Sequence, residues 1–334
     1  MIKNLKIILN TIYMELRIKS VFKNYLRIYL EKGGFHKEEN ELRKKFYTES
    51  ETHVRRMIIF MIDGRSVHGG LTDRLKGICS LFQYAKQKNI PFRINFCYPF
   101  KLQDYLEPNK YDWTLQNNDI TYNITACKPV LLNTHQFPRK MHKMYLDYMV
   151  QKYKQLHIYS NTDIYNEKFY QNFHELFRPT LKLQRDLEKN LSDIGSDFIS
   201  VTYRFQQLLG DFKERNYPTL NEGEQKKLIR ASLKVIDFIH NKYPEKRVLV
   251  TSDSVKFLKE ASIISYVYVI PGSVVHMDYI SDAEYDVYEK SFIDLLMLSH
   301  ADKIYLAYSD IMYHSGFAYC ASLIGNVEYE EIKY

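Results

Sequence analysis

The residues best suited to chemistry in this sequence are polar side chains that follow apolar, strand-like runs. Arg204 comes directly after the run Phe198–Tyr203 and before a polar turn that contains a glycine. A guanidinium there cannot lose its charge, so it costs stability unless an anion pairs with it. The run predicts either a phosphate ligand for Arg204 or a structural salt bridge to a nearby carboxylate, and it favours neither.

Two later polar stretches carry groups that bind a nucleotide or its phosphates. Asp253 can accept hydrogen bonds from a base or a ribose, but Asp253 or Ser254 can equally cap the helix that follows. Ser315, Gly316 and Phe317 open the last predicted helix, whose free N–H groups favour a phosphate, although Ser315 can also be a plain cap. Because parallel strands end at one edge of a sheet, these stretches and Arg204 are expected in one crevice.

A glycine-rich loop in the first half follows another apolar run, Met57–Ile62, and leads into a helix that runs to about Gln87. A strand, a glycine loop and a helix in this order present backbone N–H groups to an anion or a polar sugar. The spacing is not that of the dinucleotide motif. A simple tight turn explains Gly69 and Gly70, but not the basic side chains beside them: Arg65, His68 and Arg74.

The elements that must position these residues alternate between strands and helices. Further strands are predicted at Phe92–Tyr98, Lys128–Asn133, Arg247–Thr251, Tyr266–Ile270 and Lys303–Ala307. Further helices are predicted at Met141–Lys154, Glu167–Phe177, Thr180–Leu191, Glu222–His240, Ser254–Ala261, Asp286–His300 and Gly316–Ile324. The alternation indicates an α/β protein with parallel sheets and right-handed crossovers, arranged as two domains that face each other across a cleft.

Composition sets the class of protein. With 334 residues, 45% hydrophobic and 26% charged, the chain has the size and balance of a soluble two-domain protein. Its four cysteines are scattered and lack zinc-ligand spacing, which indicates a reducing cytoplasm. No run is long enough to span a bilayer, and no cleavable signal is evident. The net charge of +7 is modest and concentrated at the start of the chain, and no nucleic acid partner is expected.

The start of the chain is basic and amphipathic. Residues 1–32 place apolar side chains at helical spacing among seven lysines and arginines: Lys3, Lys6, Arg17, Lys19, Lys23, Arg27 and Lys32. Such a helix, or pair of helices, can lie on the anionic inner face of a membrane or pack on the protein's own surface. The stretch from His36 to Arg56 has mixed charge and is interpreted as a solvated helix and a linker.

Four segments in order resemble motifs of one family. Gly69-Gly-Leu-Thr-Asp-Arg-Leu-Lys-Gly77 is similar to the N-terminal glycine motif of the GDP-fucose-dependent fucosyltransferase superfamily, which includes α-1,2-, α-1,6- and protein-O-fucosyltransferases. Val201-Thr-Tyr-Arg-Phe205 resembles its first motif, and Val248-Leu-Val-Thr-Ser-Asp-Ser-Val-Lys-Phe-Leu258 its second. Phe292–Asp302 with His314–Ala321 resembles its third. The resemblance runs from about residue 57 to the C-terminus.

The resemblance implies a GT-B fold of two Rossmann-like domains. Residues 1–52 would be N-terminal helices and a linker, 53–190 an acceptor-side domain, and 191–334 a donor domain. It also implies metal-independent, inverting transfer, with Arg204 on the diphosphate of GDP-fucose, Asp253 and Ser254 on the nucleotide, and Ser315, Gly316 and Phe317 on phosphate. Gly69, Gly70 and Arg74 would contribute to the same site. A metal is not expected, because the sequence has no DxD motif and no His/Cys cluster.

The first motif departs from the family pattern. Thr202 stands where the family's histidine usually sits, and Phe205 replaces its second arginine. No motif fixes the catalytic base, which must reach the acceptor hydroxyl. The candidates are four side chains: Asp73, Asp211, Glu214 and His276.

The prediction is therefore a cytoplasmic, bacterial-type enzyme that transfers fucose from GDP-fucose to a glycan hydroxyl and needs no cofactor besides this donor. Residues 1–32 would contact the inner membrane surface peripherally. Three alternatives stay open at this stage: a GT-B transferase that uses another nucleotide sugar, a sugar- or nucleotide-binding protein without catalysis, and a scaffold at a membrane surface.

Overall fold

The computed structural model describes residues 35–50, 53–116, 118–132, 139–165, 167–212, 218–272 and 285–334. The predicted helices in residues 1–32 lie outside this part of the chain, as do the base candidates Glu214 and His276.

The strands are β1 Met57–Ile62, β2 Phe92–Phe96, β3 Leu106–Pro108, β4 Cys127–Leu131, β5 Gln155–Tyr159, β6 Phe177–Pro179, β7 Phe198–Tyr203, β8 Arg247–Ser252, β9 Val267–Tyr268, β10 Lys303–Tyr308 and β11 Glu328–Lys333. The helices are α1 Phe35–Phe46, α2 Leu71–Gln87, α3 Arg139–Lys152, α4 Phe169–Leu176, α5 Leu181–Ile194, α6 Glu222–Lys242, α7 Val255–Ala261, α8 Tyr285–Ser299 and α9 Phe317–Gly325.

Two parallel sheets organise these elements, so the predicted α/β class is confirmed. The first sheet has the strand order β2-β1-β5-β4, and the second has the order β11-β10-β7-β8-β9. β3 and β6 form a separate antiparallel ribbon. Strands β1, β4, β5 and β7 are buried along their whole length, as expected for parallel strands covered on both faces.

Helix α1 corrects one interpretation of the sequence, because it is not simply a solvated helix. Its Glu39 is fully buried and accepts hydrogen bonds from the Leu131 backbone N–H (3.0 Å) and the Tyr145 hydroxyl (2.8 Å). Lys128 of β4 lies 3.1 Å from Glu39 Oε2, and both side chains are almost completely buried. A buried charge needs such a partner, so this ion pair fixes α1 against β4.

Aromatic side chains join the two halves of the chain. The Tyr105 ring stacks on Phe292 at a centroid distance of 4.5 Å, and the Phe100 ring lies 4.6 Å from Tyr288. These residues belong to one buried apolar cluster that continues through both sheets. The predicted domain boundary between residues 190 and 191 falls within α5.

No helix in the described segments is long and apolar enough to cross a membrane.

Candidate functional site

Arg204 and Asp253 form the centre of the candidate site at the carboxyl edge of the second sheet. Arg204 directly follows β7, and Asp253 directly follows the neighbouring strand β8. The distance from Arg204 Nη1 to Asp253 Oδ2 is 3.1 Å. The Arg204 guanidinium also lies over the Phe212 ring at 4.6 Å. Its side chain keeps 18% exposure whereas that of Asp253 keeps 2%. The salt bridge predicted as one alternative is therefore present, and part of Arg204 still faces solvent.

Asp253 also fixes the backbone after β7. Its carboxylate accepts hydrogen bonds from the backbone N–H groups of Phe205 (2.9 Å) and Gln206 (2.7 Å). Gln206 has a φ of 53°, a left-handed conformation that a residue other than glycine seldom adopts without local support. Burial raises the pKa of Asp253, while Arg204 and the two N–H groups oppose this shift. Asp253 thus positions Arg204 and its turn.

Two other predicted site residues belong to the start of α7. Ser254 is the N-cap of this helix and accepts a hydrogen bond from the Phe257 N–H at 3.1 Å. Asp211 Oδ2 accepts hydrogen bonds from the Ser254 hydroxyl (2.9 Å) and the Lys256 N–H (2.7 Å). Of the two roles left open for Ser254, the structure shows the cap. The same geometry engages Asp211 as a support for the helix.

The departures from the family's first motif face the interior. The Thr202 hydroxyl hydrogen-bonds that of Thr251 at 2.9 Å between neighbouring strands. Phe205 is fully buried, and its ring stacks on Tyr203 at 5.9 Å and lies 4.9 Å from Phe257. An arginine at position 205 would have to replace an apolar ring in this core, so position 205 itself does not supply a second cation.

Arg74 holds the glycine loop that follows β1. Its Nε donates to the Gly69 carbonyl and its Nη1 to the Tyr98 carbonyl, both at 2.9 Å, and the side chain is fully buried. Gly69 has a φ of 73°, which favours glycine. Gly70 precedes the first turn of α2. This geometry favours a supporting role for Arg74, and its predicted contact with the donor stays a prediction.

Asp73 lies in the first turn of α2 and pairs with Lys76. The distance from Asp73 Oδ1 to Lys76 Nζ is 3.0 Å, and the Asp73 side chain remains 42% exposed. Burial lowers the pKa of Lys76, but Asp73, with smaller contributions from Cys320 and Asp163, opposes this effect, and the pKa lies above its usual value. A Cβ built on Gly316 would lie 3.6 Å from Lys76 Nζ. Lys76 was not among the predicted site residues. Its ammonium group, from the first half of the chain, lies beside the start of α9.

Ser315, Gly316 and Phe317 lie where the sequence predicted them, at the start of α9. The Phe317 N–H donates to the Ser315 hydroxyl at 3.2 Å, and Gly316 directly precedes the helix. Helix α9 follows β10, and β10 pairs with β7, the strand that delivers Arg204. Arg204 and the start of α9 thus share one edge of the second sheet, as expected for groups that follow the carboxyl ends of neighbouring parallel strands. Across the described segments, no three His, Cys, Asp or Glu side chains form a group that could hold a metal ion.

Comparison with known proteins gives the fold a context. No protein-family model and no curated protein sequence matches the chain. The structure of Arabidopsis thaliana FUT1 in complex with GDP is similar, with a TM-score of 0.54 and 13% identity over 93% of this chain and 78% of that chain.

Two other solved structures are also similar to this chain. The α-1,6-fucosyltransferase NodZ, soaked with GDP-fucose, has a TM-score of 0.52 and 12% identity over 81% of this chain and 92% of its own; NodZ comes from Bradyrhizobium. The apo form of POFUT1 has a TM-score of 0.50 and 12% identity over 85% and 99% of the two chains. The resemblance seen in the sequence is thus confirmed in three dimensions: this chain has the fold of the GDP-fucose-dependent fucosyltransferases.

Proposed function

We propose that this protein is an inverting, metal-independent glycosyltransferase that transfers fucose from GDP-fucose to a hydroxyl of a glycan. The observation that carries the proposal is the placement of Arg204. Asp253 holds it at the carboxyl edge of the second sheet, at the same edge as the start of α9. The structurally similar proteins with bound GDP or GDP-fucose support this choice of donor.

In this proposal the donor diphosphate lies between Arg204 and the first turn of α9. The Arg204 guanidinium and the first turn of α9 would offer donors to phosphate oxygens. Lys76, beside Gly316, adds a second cation from the first half. The two cations and the helix end stabilise the negative charge that grows on GDP as the sugar leaves.

Asp73 is the better placed of the two described base candidates. It is partly exposed and borders Lys76 and the start of α9, whereas Asp211 is engaged at the start of α7. In the proposed step the Asp73 carboxylate takes the proton of the acceptor hydroxyl. That oxygen bonds to the anomeric carbon while the bond from this carbon to the diphosphate oxygen breaks, which inverts the configuration and releases GDP.

A thermal-shift experiment tests the donor site. GDP at one hundred times its dissociation constant should add about 2.7 kcal/mol to the free energy of unfolding. Arg204→Ala should abolish this shift, whereas Arg230→Ala, which removes an exposed arginine from α6, should leave it unchanged. A panel of GDP, UDP, CDP, GDP-fucose and GDP-mannose tests the donor, and stabilisation by another nucleotide alone would refute GDP-fucose.

We further propose that the enzyme works in the cytoplasm and that residues 1–32 bring it to the inner membrane surface. The clustered lysines and arginines of this segment suit an anionic surface. Co-sedimentation with vesicles of phosphatidylglycerol, compared with neutral phosphatidylcholine vesicles, tests this contact. Equal binding to both kinds of vesicle, or binding to neither, would contradict it.

A further inference from the structure

A polar cluster outside the donor site lies at the carboxyl end of β1. We call it the Arg65 cluster; its members are Phe46, Asp63, Arg65, Tyr122 and Tyr159. β1 is the strand from which the first sheet extends in both directions, to β2 on one side and to β5 on the other. The carboxyl end at such a point is where open α/β sheets bind ligands.

Arg65 lies over two aromatic rings, and one of its guanidinium nitrogens has no hydrogen-bond partner in the described part of the chain. Its guanidinium carbon lies 4.1 Å from the centre of the Phe46 ring and 4.8 Å from that of Tyr122. Its Nη1 is buried and has no hydrogen-bond acceptor among the residues that the structure describes. An unsatisfied buried donor costs free energy, so its persistence in a native fold calls for an explanation.

Asp63 supplies the complementary group. Its Oδ1 accepts the Arg65 backbone N–H at 3.1 Å, and its Oδ2 accepts the Tyr159 hydroxyl at 3.1 Å and lies 3.4 Å from Arg65 Nε. A carboxylate offers about four acceptor positions, which leaves capacity for one more donor. The Asp63 side chain is 6% exposed and that of Arg65 is 30% exposed, so Arg65 forms the accessible part of the pair.

Contacts within one loop connect this cluster to the proposed donor site. His68 stacks on Tyr159 at 6.0 Å, and its Nε2 accepts the Gly64 N–H at 3.0 Å. The next residue is Gly69, where a Cβ would lie 3.2 Å from the carboxylate of Asp73. Asp63 and Arg65 therefore lie on the connection that leads from β1 to α2, and the first turn of α2 carries the proposed base Asp73.

From this geometry we infer that the Arg65 cluster binds the acceptor as a neutral pyranose, with Arg65 and Asp63 on adjacent hydroxyls; this inference rests on the proposed function. The planar guanidinium edge donates to hydroxyl oxygens, and the carboxylate accepts a hydroxyl hydrogen. Because the charges of Asp63 and Arg65 offset each other, the cluster suits an uncharged polyol better than an anion. The two aromatic rings fix the orientation of Arg65.

Saturation-transfer NMR with methyl β-D-galactoside, methyl β-D-glucoside and the methyl glycoside of N-acetylglucosamine tests this inference on the full chain, with and without GDP. Arg65→Lys keeps the positive charge but loses the planar guanidinium with its paired N–H donors, and Asp63→Asn keeps the shape of the side chain but loses its negative charge. Each should weaken pyranoside binding by tenfold or more. Arg55→Lys is the matched control, because Arg55 is 59% exposed and pairs with Asp119 in the same half.

The thermal shift with GDP separates the two proposals. If GDP stabilises the wild type and both variants equally while pyranoside binding falls in the variants, both proposals are supported. Unchanged pyranoside binding in Arg65→Lys and Asp63→Asn, or no pyranoside binding by a wild type that GDP stabilises, overturns the acceptor inference alone. Absence of any GDP shift in the wild type overturns the proposed function, and the pyranoside measurements without GDP still report on the cluster.

Discussion

The ion pair between Arg204 and Asp253 is one of the two alternatives predicted from the sequence, and phosphate binding by Arg204 is the role proposed above. The salt bridge keeps an almost buried carboxylate paired, while the Arg204 side chain as a whole keeps 18% exposure. A buried carboxylate without its cation would be costly, and an arginine without its carboxylate would lose its orientation. The same pair therefore stabilises the turn after β7 and presents a cation at the sheet edge.

Asp253→Asn should lower both the stability of the fold and the proposed affinity for GDP. The amide keeps the shape of the carboxylate. With its NH₂ group in the place of Oδ2, however, it would face two other donors, the Arg204 guanidinium and the Gln206 N–H, and could accept from neither. We expect a loss of about 1.5–3 kcal/mol in the free energy of unfolding and weaker GDP binding. Urea denaturation and GDP titration measure the two effects. Asp302→Asn, at an exposed carboxylate paired with Lys246, should alter neither.

Buried histidines predict how stability depends on pH. Burial, assisted by the nearby Arg65 charge, lowers the pKa of His157 to about 3, below the unfolded value of about 6.5. Between these pH values the unfolded chain binds the proton and the folded chain does not. The contribution of His157 is therefore complete above pH 6.5 and falls by about 1.4 kcal/mol per unit as the pH drops toward 3.

His157→Leu should remove this slope, although it also loses the hydrogen bonds to Tyr47 and Gln155 and so lowers stability at every pH. Urea denaturation of both proteins between pH 7.5 and 5.0 gives the difference in slope. Equal slopes would mean that His157 already titrates normally in the fold. His53→Leu, at an exposed position in the same half, is the matched control for the substitution of a histidine by leucine.

The sequence correctly located Arg204, Asp253 and the start of α9 beyond the carboxyl ends of strands, because each follows a recognisable apolar run. Lys76 was not predicted as a site residue because it lies inside α2 among apolar residues. Its proposed role depends on its proximity to Gly316 in the other half of the chain. Asp211 is one of four predicted base candidates, and the hydrogen bonds of its carboxylate at the start of α7 could not be predicted from the sequence. Patterns locate strand ends well, but they do not reveal which distant groups meet there.

At the scale of elements, most strands and helices matched their predicted positions within a few residues, and the failures have physical causes. β5 was not predicted because Gln155 and His157 interrupt its apolar pattern; both are buried, with partners on other segments. β11 was not predicted because its sequence, Glu328–Lys333, is charged, as suits an edge strand. β3 and β6 have three residues each, too few for a pattern to show.

Gly325 ends α9 against the last turn of α8. A Cβ at this position would lie 2.0 Å from the Ser299 carbonyl oxygen, so Gly325→Ala must move the two helices apart. We expect a loss of about 1–3 kcal/mol in the free energy of unfolding, typical of overpacking. Gly223→Ala in α6 is the control, because its Cβ meets only the Asn221 Oδ1 at 3.4 Å. Denaturant unfolding should rank the two variants in this order.

The attachment of α1 to β4 depends on the buried pair of Glu39 and Lys128. Lys128→Met should cost about 3–5 kcal/mol, because it leaves the Glu39 carboxylate buried without its cation. Arg178→Met removes a cation from an exposed pair with Glu107 and should cost less than about 1 kcal/mol. Denaturant unfolding measures the loss of free energy of unfolding in both variants. Equal losses would contradict the expectation that the buried pair contributes more than the exposed one.

At the scale of the whole molecule, the contacts between the halves predict cooperative unfolding. Phe100 and Tyr105 of the first half pack against Tyr288 and Phe292 of α8, within a core that continues through both sheets. Differential scanning calorimetry should therefore show one transition, and Phe292→Ala should lower its midpoint without splitting it. Two separate transitions would instead support two independently stable domains, as the sequence boundaries predicted.

The aromatic contact between the halves also bears on synthesis. Phe100 and Tyr105 leave the ribosome long before Tyr288 and Phe292, their ring partners. β1 likewise waits for β5, almost a hundred residues later, before the middle of the first sheet can close. Until then the growing chain exposes apolar rings and an open strand edge, which are the features that make folding chains prone to aggregate and dependent on chaperones. Production in a heterologous host should accordingly depend more on chaperone supply and slow translation than on the stability of the finished fold.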